Sequence, residues 1–137
     1  MSKKHSILIV DDDNDDREII RDAFMSIHKD RPEYVFIETG DRLLQHLRET
    51  DNSDLPALIM LDLNMPGKDG REALKEIKGS TRLRHIPTIV FTTSGSQKDR
   101  DMAYSLGANC FITKPDTFNK LVELTNSITL IWMPQTL

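Results

Sequence analysis

One cysteine, Cys110, in 137 residues excludes an internal disulfide, so a reducing cytoplasm is the expected compartment. Cys110 sits in an apolar segment with no basic neighbour to activate it, and reads as a small buried hydrophobe. No apolar run approaches the ~20 residues that span a bilayer. The N-terminus also lacks a signal peptide's apolar stretch, because charge arrives at Asp11. A basic surplus is missing as well: 18 Lys and Arg face 22 Asp and Glu, a net charge of −4. That balance argues against a free-standing nucleic-acid binder, and Lys3-Lys4-His5 reads as a solvated terminus. Aromatics make up only 6% of the chain, and His5, His28, His46 and His85 show no metal-ligand spacing. What remains is globular, 38% hydrophobic and 29% charged, enough to bury the core of one domain.

Five aspartates fall within the six residues Asp11-Asp12-Asp13-Asn14-Asp15-Asp16, directly after the apolar run Ile7-Leu8-Ile9-Val10. The run reads as a buried strand, and open α/β sheets place their ligands at the carboxyl ends of such strands. Carboxylates packed this closely repel unless something positive sits among them, and a hard divalent cation with oxygen ligands would serve. The alternative is a solvated helix start, since Asp favours N-caps and first turns.

Apolar runs and amphipathic stretches alternate along the rest of the chain. Ile19-Ile20, Ala23-Phe24 and Ile27 form a stripe of helical period, with Arg17, Glu18, Arg21, Asp22 and Lys29 expected on the opposite face. Tyr34 to Ile37 is a second strand, ended by Gly40, and Leu43, Leu44 and Leu47 mark a short helix. After the turn-rich Asn52-Ser53-Asp54-Leu55-Pro56, Ala57 to Leu61 is a third strand, apolar throughout as expected when helices cover both faces. Pro66 to Gly70 marks a long loop before the helix of Ala73, Leu74 and Ile77. Pro87 to Phe91 is strand four, Met102, Ala103 and Leu106 mark a weaker helix closed by Gly107, and Cys110-Phe111-Ile112 is strand five. A last helix runs from about Thr117 to Trp132. Five β-α units with short connections predict a single α/β domain: a parallel sheet wrapped on both faces by helices.

The chemically interesting residues all fall at strand ends: Asp11 and Asp12 after the first, Asp62 after the third, Thr92 at the fourth and Lys114 after the fifth. If those strands are neighbours, their ends lie about 4.8 Å apart and the residues share one pocket. Asp62 can attack a phosphoryl group as a carboxylate nucleophile. Asp12 and Asp62 can ligate Mg²⁺, with Asp11 one shell out or through water. Lys114 supplies a point charge, and the Thr92 hydroxyl a hydrogen bond, for phosphoryl oxygens.

The motifs Ile7-Leu8-Ile9-Val10-Asp11-Asp12, Leu61-Asp62-Leu63-Asn64-Met65-Pro66-Gly67, Thr92-Thr93-Ser94 and Phe111-Ile112-Thr113-Lys114-Pro115, together with their order, resemble two-component response-regulator receiver domains of the stand-alone kind. The resemblance covers nearly the whole chain. It implies a doubly wound, flavodoxin-like (βα)₅ fold with strand order 2-1-3-4-5, and one receiver domain over 1–137 with no output domain. It implies that Asp62 accepts a phosphoryl group from a phosphohistidine on a sensor histidine kinase. Mg²⁺ would be held by Asp12, Asp62 and the backbone carbonyl of Asn64, with Asp11 assisting. Thr92 and Phe111 would form a switch pair, and the Lys114-Pro115 bond would be cis. Such a domain is not an enzyme beyond Mg²⁺-dependent self-phosphorylation and self-dephosphorylation. Its partners are the kinase and a downstream protein, with no nucleic acid and no membrane.

Two departures narrow the resemblance. Thr93 stands where a smaller residue is more usual, and Thr92-Thr93-Ser94 with the loop from Ser80 to Pro87 resembles receivers serving bacterial phytochrome kinases. Asn64 and Ser94, flanking the site, are expected to tune dephosphorylation. On the last helix, Phe118, Leu121, Val122, Thr125, Ile128 and Trp132 suit a core stripe, while Leu124, Leu130 and Ile131 widen it. That surplus makes either a well-buried helix or, with strand five and the preceding helix, an output or homodimer surface. A dehalogenase-like phosphatase also uses an Asp nucleophile and Mg²⁺, but expects a second acid where Asn64 stands. A flavodoxin-like electron carrier would need a glycine-rich phosphate loop in place of the aspartates. A degenerate, scaffolding receiver is opposed by the complete set of acids, Thr and Lys.

Overall fold

A computed structural model describes residues 5–26, 32–65 and 70–134. Strands β1 (Ser6–Val10), β2 (Glu33–Ile37), β3 (Leu58–Leu61), β4 (Thr88–Thr92) and β5 (Cys110–Thr113) alternate with helices α1 (Asn14–Met25), α2 (Gly40–Glu49), α3 (Gly70–Gly79), α4 (Gln97–Ser105) and α5 (Phe118–Trp132). All pairings are parallel and the sheet order is β2-β1-β3-β4-β5, as the sequence and its resemblance led us to expect.

Period-two alternation divides each strand between two cores. Leu8, Val10, Ile59, Leu61 and Val90 pack beneath α2, α3 and α4 with Leu43, Leu47, Leu74, Ile77 and Ala103. Ile7, Ile9, Met60, Ile89 and Phe91 face α1 and α5 with Ile20, Phe24, Leu121 and Ile128. β1, β3 and β4 are thus covered on both sides, which is why their sequences read as unbroken apolar runs. Each side chain buried there contributes about 1.5–3 kcal/mol.

Helix starts follow local chemistry. The side chains of Asp13, Thr39, Ser96 and Thr117 accept backbone N–H groups in the first turns of α1, α2, α4 and α5. Gly107, at φ +103°, takes the left-handed conformation that ends α4.

Several expectations need correction. Gly40 opens α2 rather than ending β2, because Thr39 caps the helix. Ile19 and Phe118 are exposed, at the edges of their helical stripes, and Cys110 is only partly buried. Arg17, expected in solvent, is buried, because the acidic loop needs its guanidinium. Ile27, His28, Lys29, Lys3-Lys4 and Pro66-Gly67-Lys68-Asp69 lie outside the described residues.

Candidate functional site

The sheet ladder carries each expected site residue to its place. One residue beyond the strands, the Asp11 N–H donates to the Ile37 carbonyl at 3.0 Å, the Asp62 N–H to Val10 at 3.0 Å, and the Lys114 N–H to Thr92 at 2.7 Å. The acids and the lysine are therefore the last rungs of the ladder, fixed by backbone rather than by flexible loops. Asp11 and Asp62 are buried, Asp12 is exposed, and Thr92 is wholly enclosed.

Turns after β1 and β3 orient the two buried carboxylates alike. Asp11 Oδ1 accepts the Asp13 N–H at 2.9 Å, and Asp62 Oδ1 accepts the Asn64 N–H at 3.1 Å. That leaves both Oδ2 atoms facing Lys114, whose Nζ lies 2.6 Å from Asp11 and 3.6 Å from Asp62. A third acid joins them: Asp16 Oδ2 stands 2.9 Å from the same ammonium. Asp16 is a carboxylate of the first turn of α1, and that turn also aims it at Lys114.

Burial pushes the Asp11 carboxyl above its ordinary value, against the opposing pull of Lys114 and the Asp13 N–H. Burial alone would lower the Lys114 pKa. Its bonds to Asp11 and Asp16 and the charges of Asp11 and Asp62 outweigh that and raise it, so the side chain is firmly an ammonium. Oxygens of Asp11, Asp12 and Asp62 lie within 4.8 Å of one another, so a cation could be held among them. An all-oxygen, all-carboxylate donor set suits a hard divalent ion.

Arg17 braces this loop from behind. Its guanidinium donates to the Asp11 carbonyl at 2.6 Å and to Asn14 Oδ1 at 3.0 Å, and lies over the Phe36 ring at 6.0 Å. Gly70, at the start of α3, passes so close that a Cβ there would meet the Asp62 carbonyl at 2.1 Å. The run of Asp and the Gly in the sequence marked both places, but neither periodicity nor motif spacing could name Arg17 or Asp16 as contacts. The Asp16 contact depends on the face that α1 turns toward Lys114 after β5, and the Arg17 contacts on the face it turns toward the loop after β1 and toward β2.

At the other side of the site, Thr92 Oγ1 accepts the Asn64 side-chain amide and the Ser94 N–H, both at 3.4 Å. Ser94 Oγ donates to Asp99 Oδ2 at 2.5 Å, and Arg71 pairs with Asp99 Oδ1 at 3.4 Å. The Ser94 hydroxyl above all, and Arg71 with it, hold the Asp99 carboxyl below its ordinary value. Phe111 is buried. Its N–H donates to the Tyr104 hydroxyl at 3.0 Å, and Arg100 lies over its ring at 4.8 Å. Thr92 and Phe111, on neighbouring strands, are thus each linked to α4. The Lys114-Pro115 bond is trans, contrary to the expectation of a cis bond. X-Pro bonds favour trans by about 0.5–1 kcal/mol, and the ammonium reaches its acids from that form.

Known proteins resemble the chain in both sequence and fold. The response regulator receiver domain family matches residues 7–126. The chain is 36% identical over 130 residues to response regulator Rcp1 of Synechocystis sp., covering 93% of this chain and 88% of Rcp1. It is 38% identical over 130 residues to the probable methanogenesis regulatory protein FilR2 of Methanothrix harundinacea, covering 93% and 83%. Among solved structures, the phosphorylated cyanobacterial phytochrome response regulator RcpA superposes with a TM-score of 0.87 at 33% identity, over 97% of this chain and all of that one (100%). The Mn²⁺-bound form of Rcp1 superposes at 0.83 with 32% identity, over 97% of each chain. With the sheet order, the strand-end acids and the lysine all in place, the chain belongs to the response regulator receiver domains of two-component signalling.

Proposed function

We propose that Asp62 accepts a phosphoryl group from a phosphohistidine on a sensor histidine kinase, and that the domain then changes its hold on a protein partner. The observation that carries this reading is the state of the buried carboxylates. Asp11 has both oxygens engaged at hydrogen-bond distance, whereas Asp62 Oδ2 stands 3.6 Å from the Lys114 ammonium, an ion pair beyond hydrogen-bond distance. In the transfer, Asp62 Oδ2 bonds to phosphorus as the phosphorus–nitrogen bond breaks, and the imidazole nitrogen keeps the electron pair and takes a proton. Lys114 neutralises a phosphoryl oxygen and Thr92 turns its hydroxyl toward another, so the chain's contribution is positioning and charge.

Mg²⁺ fits the carboxylate group of Asp11, Asp12 and Asp62; Asp12, Asp62 and the Asn64 carbonyl would hold it, with Asp11 assisting. When bound, it supplies the positive charge that lets two anions approach. Phosphorylated RcpA and Mn²⁺-bound Rcp1 among the similar structures support both parts. Beyond this self-modification the domain is no enzyme. It works in the cytoplasm, and no described helix is long and apolar enough to cross a membrane. Its output face is the exposed part of α5, where Leu130 and Ile131 are 63% and 69% exposed, with β5 and α4. That face takes a downstream protein or a second copy of the chain.

The test is incubation with acetyl phosphate and Mg²⁺ followed by intact mass. One added phosphoryl group is expected, absent with EDTA and absent in Asp62→Asn. Continuous turnover of phosphate esters with no adduct would point instead to a phosphatase.

A further inference from the structure

We propose that Asp16 is a positioning residue for phosphoryl uptake: by sharing the Lys114 ammonium it holds that charge back from Asp62. The inference rests on Asp62 being the phosphoacceptor, and adds an acid that stands outside the carboxylate group able to hold a cation.

An ammonium has three N–H donors. Lys114 spends two at hydrogen-bond distance, on Asp11 at 2.6 Å and Asp16 at 2.9 Å, while Asp62 Oδ2 waits at 3.6 Å. Both ends of the Asp16 contact are anchored. Asp16 sits in the first turn of α1, where the Asp13 side chain accepts its N–H at 3.1 Å, and the Lys114 N–H is fixed on Thr92. The three acids differ in how easily they release the donor. The side chains of Asp11 and Asp62 are 3% and 10% exposed, but that of Asp16 is 39% exposed, so water can replace its bond. A phosphoryl oxygen on Asp62 takes the third donor by drawing the ammonium toward Asp62, and the contact that lengthens is the one to Asp16. Asp16→Asn keeps the size and removes the charge, so Lys114 shifts toward Asp62 before any phosphoryl group arrives.

The test titrates beryllofluoride, a phosphoryl analogue, into the full chain with Mg²⁺, beside the rate of labelling by acetyl phosphate. Asp16→Asn is expected to take up both about three- to tenfold more readily, with Asp16→Glu close to the parent. Asp15→Asn is the control, because Asp15 is exposed in the same turn and removes the same charge without a Lys114 contact. It is expected to change uptake less than about twofold. In isotope-labelled protein without beryllofluoride, the Lys114 ammonium protons exchange with water faster in Asp16→Asn. Should Asp16→Asn fail to fold, Asp16→Ser removes the same charge. Unchanged uptake in the folded Asp16 variant, or an equal gain in Asp15→Asn, overturns the positioning role while leaving Asp62 as phosphoacceptor. A parent protein that takes up neither beryllofluoride nor a phosphoryl group overturns the proposed function itself.

Discussion

Lys114 lies 2.6 Å from Asp11 but 3.6 Å from Asp62, so its charge rests on a buried acid of the candidate cation site rather than on the candidate nucleophile. The same ammonium therefore stabilises the folded loop at rest and is at hand for a phosphoryl oxygen. Replacing it separates the two roles. Lys114→Gln should slow labelling by acetyl phosphate about 10²-fold, the usual cost of one transition-state donor. It should also make Mg²⁺ raise the melting temperature more than in the parent, because the ion then neutralises acids that Lys114 no longer serves. Equal Mg²⁺ shifts in both proteins would count against this.

Mg²⁺ itself should stabilise the fold by linkage, by about 2.7 kcal/mol at a hundred times its dissociation constant. Asp12→Asn removes an exposed carboxylate of the group and should weaken Mg²⁺ about ten- to hundredfold. The melting temperature without metal should hardly move, since Asp12 is exposed. Thermal melts across a Mg²⁺ titration, with EDTA as the reference, measure both.

Arg17 anchors the Asp11 carbonyl and Asn14 from a buried position. Arg17→Met should cost about 1.5–3 kcal/mol, the worth of hydrogen bonds made by a charged group. Arg17→Lys should recover little of it, because an ammonium cannot reproduce the planar fork. Urea unfolding gives the values, and full recovery by lysine would contradict the account.

Two glycines of α3 should respond oppositely to alanine. At Gly70 a Cβ would sit 2.1 Å from the Asp62 carbonyl and 2.8 Å from Leu63 Cα, so the site loop must move. We expect a loss of about 1–3 kcal/mol or more, together with slower phosphoryl uptake. At Gly79 nothing lies within 4 Å, and alanine should be neutral or stabilise by up to about 1 kcal/mol through helix propensity. Equilibrium unfolding of both variants makes the comparison.

The Ser94-Asp99 contact should leave a trace in acid. Asp99 titrates below its ordinary 3.8 in the folded chain, first because Ser94 donates to it. A depressed carboxylate contributes stability that is complete above its unfolded pKa and is lost as pH falls through its folded value. Ser94→Ala should therefore melt below the parent at neutral pH, with the gap closing as pH drops past 3.8. A gap independent of pH would sink the idea.

Much of the architecture was legible because parallel strands buried on both faces must be apolar without interruption, and Ile7 to Val10 and Leu58 to Leu61 are. The site acids were legible for a related reason: in a doubly wound sheet, strand ends are where polar side chains can converge. Less was legible on α1 and α5. Arg17 and Ile19 were each assigned to the wrong environment from helical period, since a charged side chain can be drawn inward by a carbonyl and an apolar one can lie at a stripe's edge.

The order of residues along the chain was enough to set the strand and helix sequence and the cores on the two sheet faces. Local patterning carries that information. Gathering Asp11, Asp12, Asp62, Thr92 and Lys114 into one group took strand-end placement and also the strand order that the family resemblance implies. Which acids share the Lys114 ammonium, how far each lies from it, and that Asp16 belongs among them came from packing. Distances between groups on α1, β1, β3 and β5 depend on how helices seat against a twisted sheet, and no local pattern encodes that.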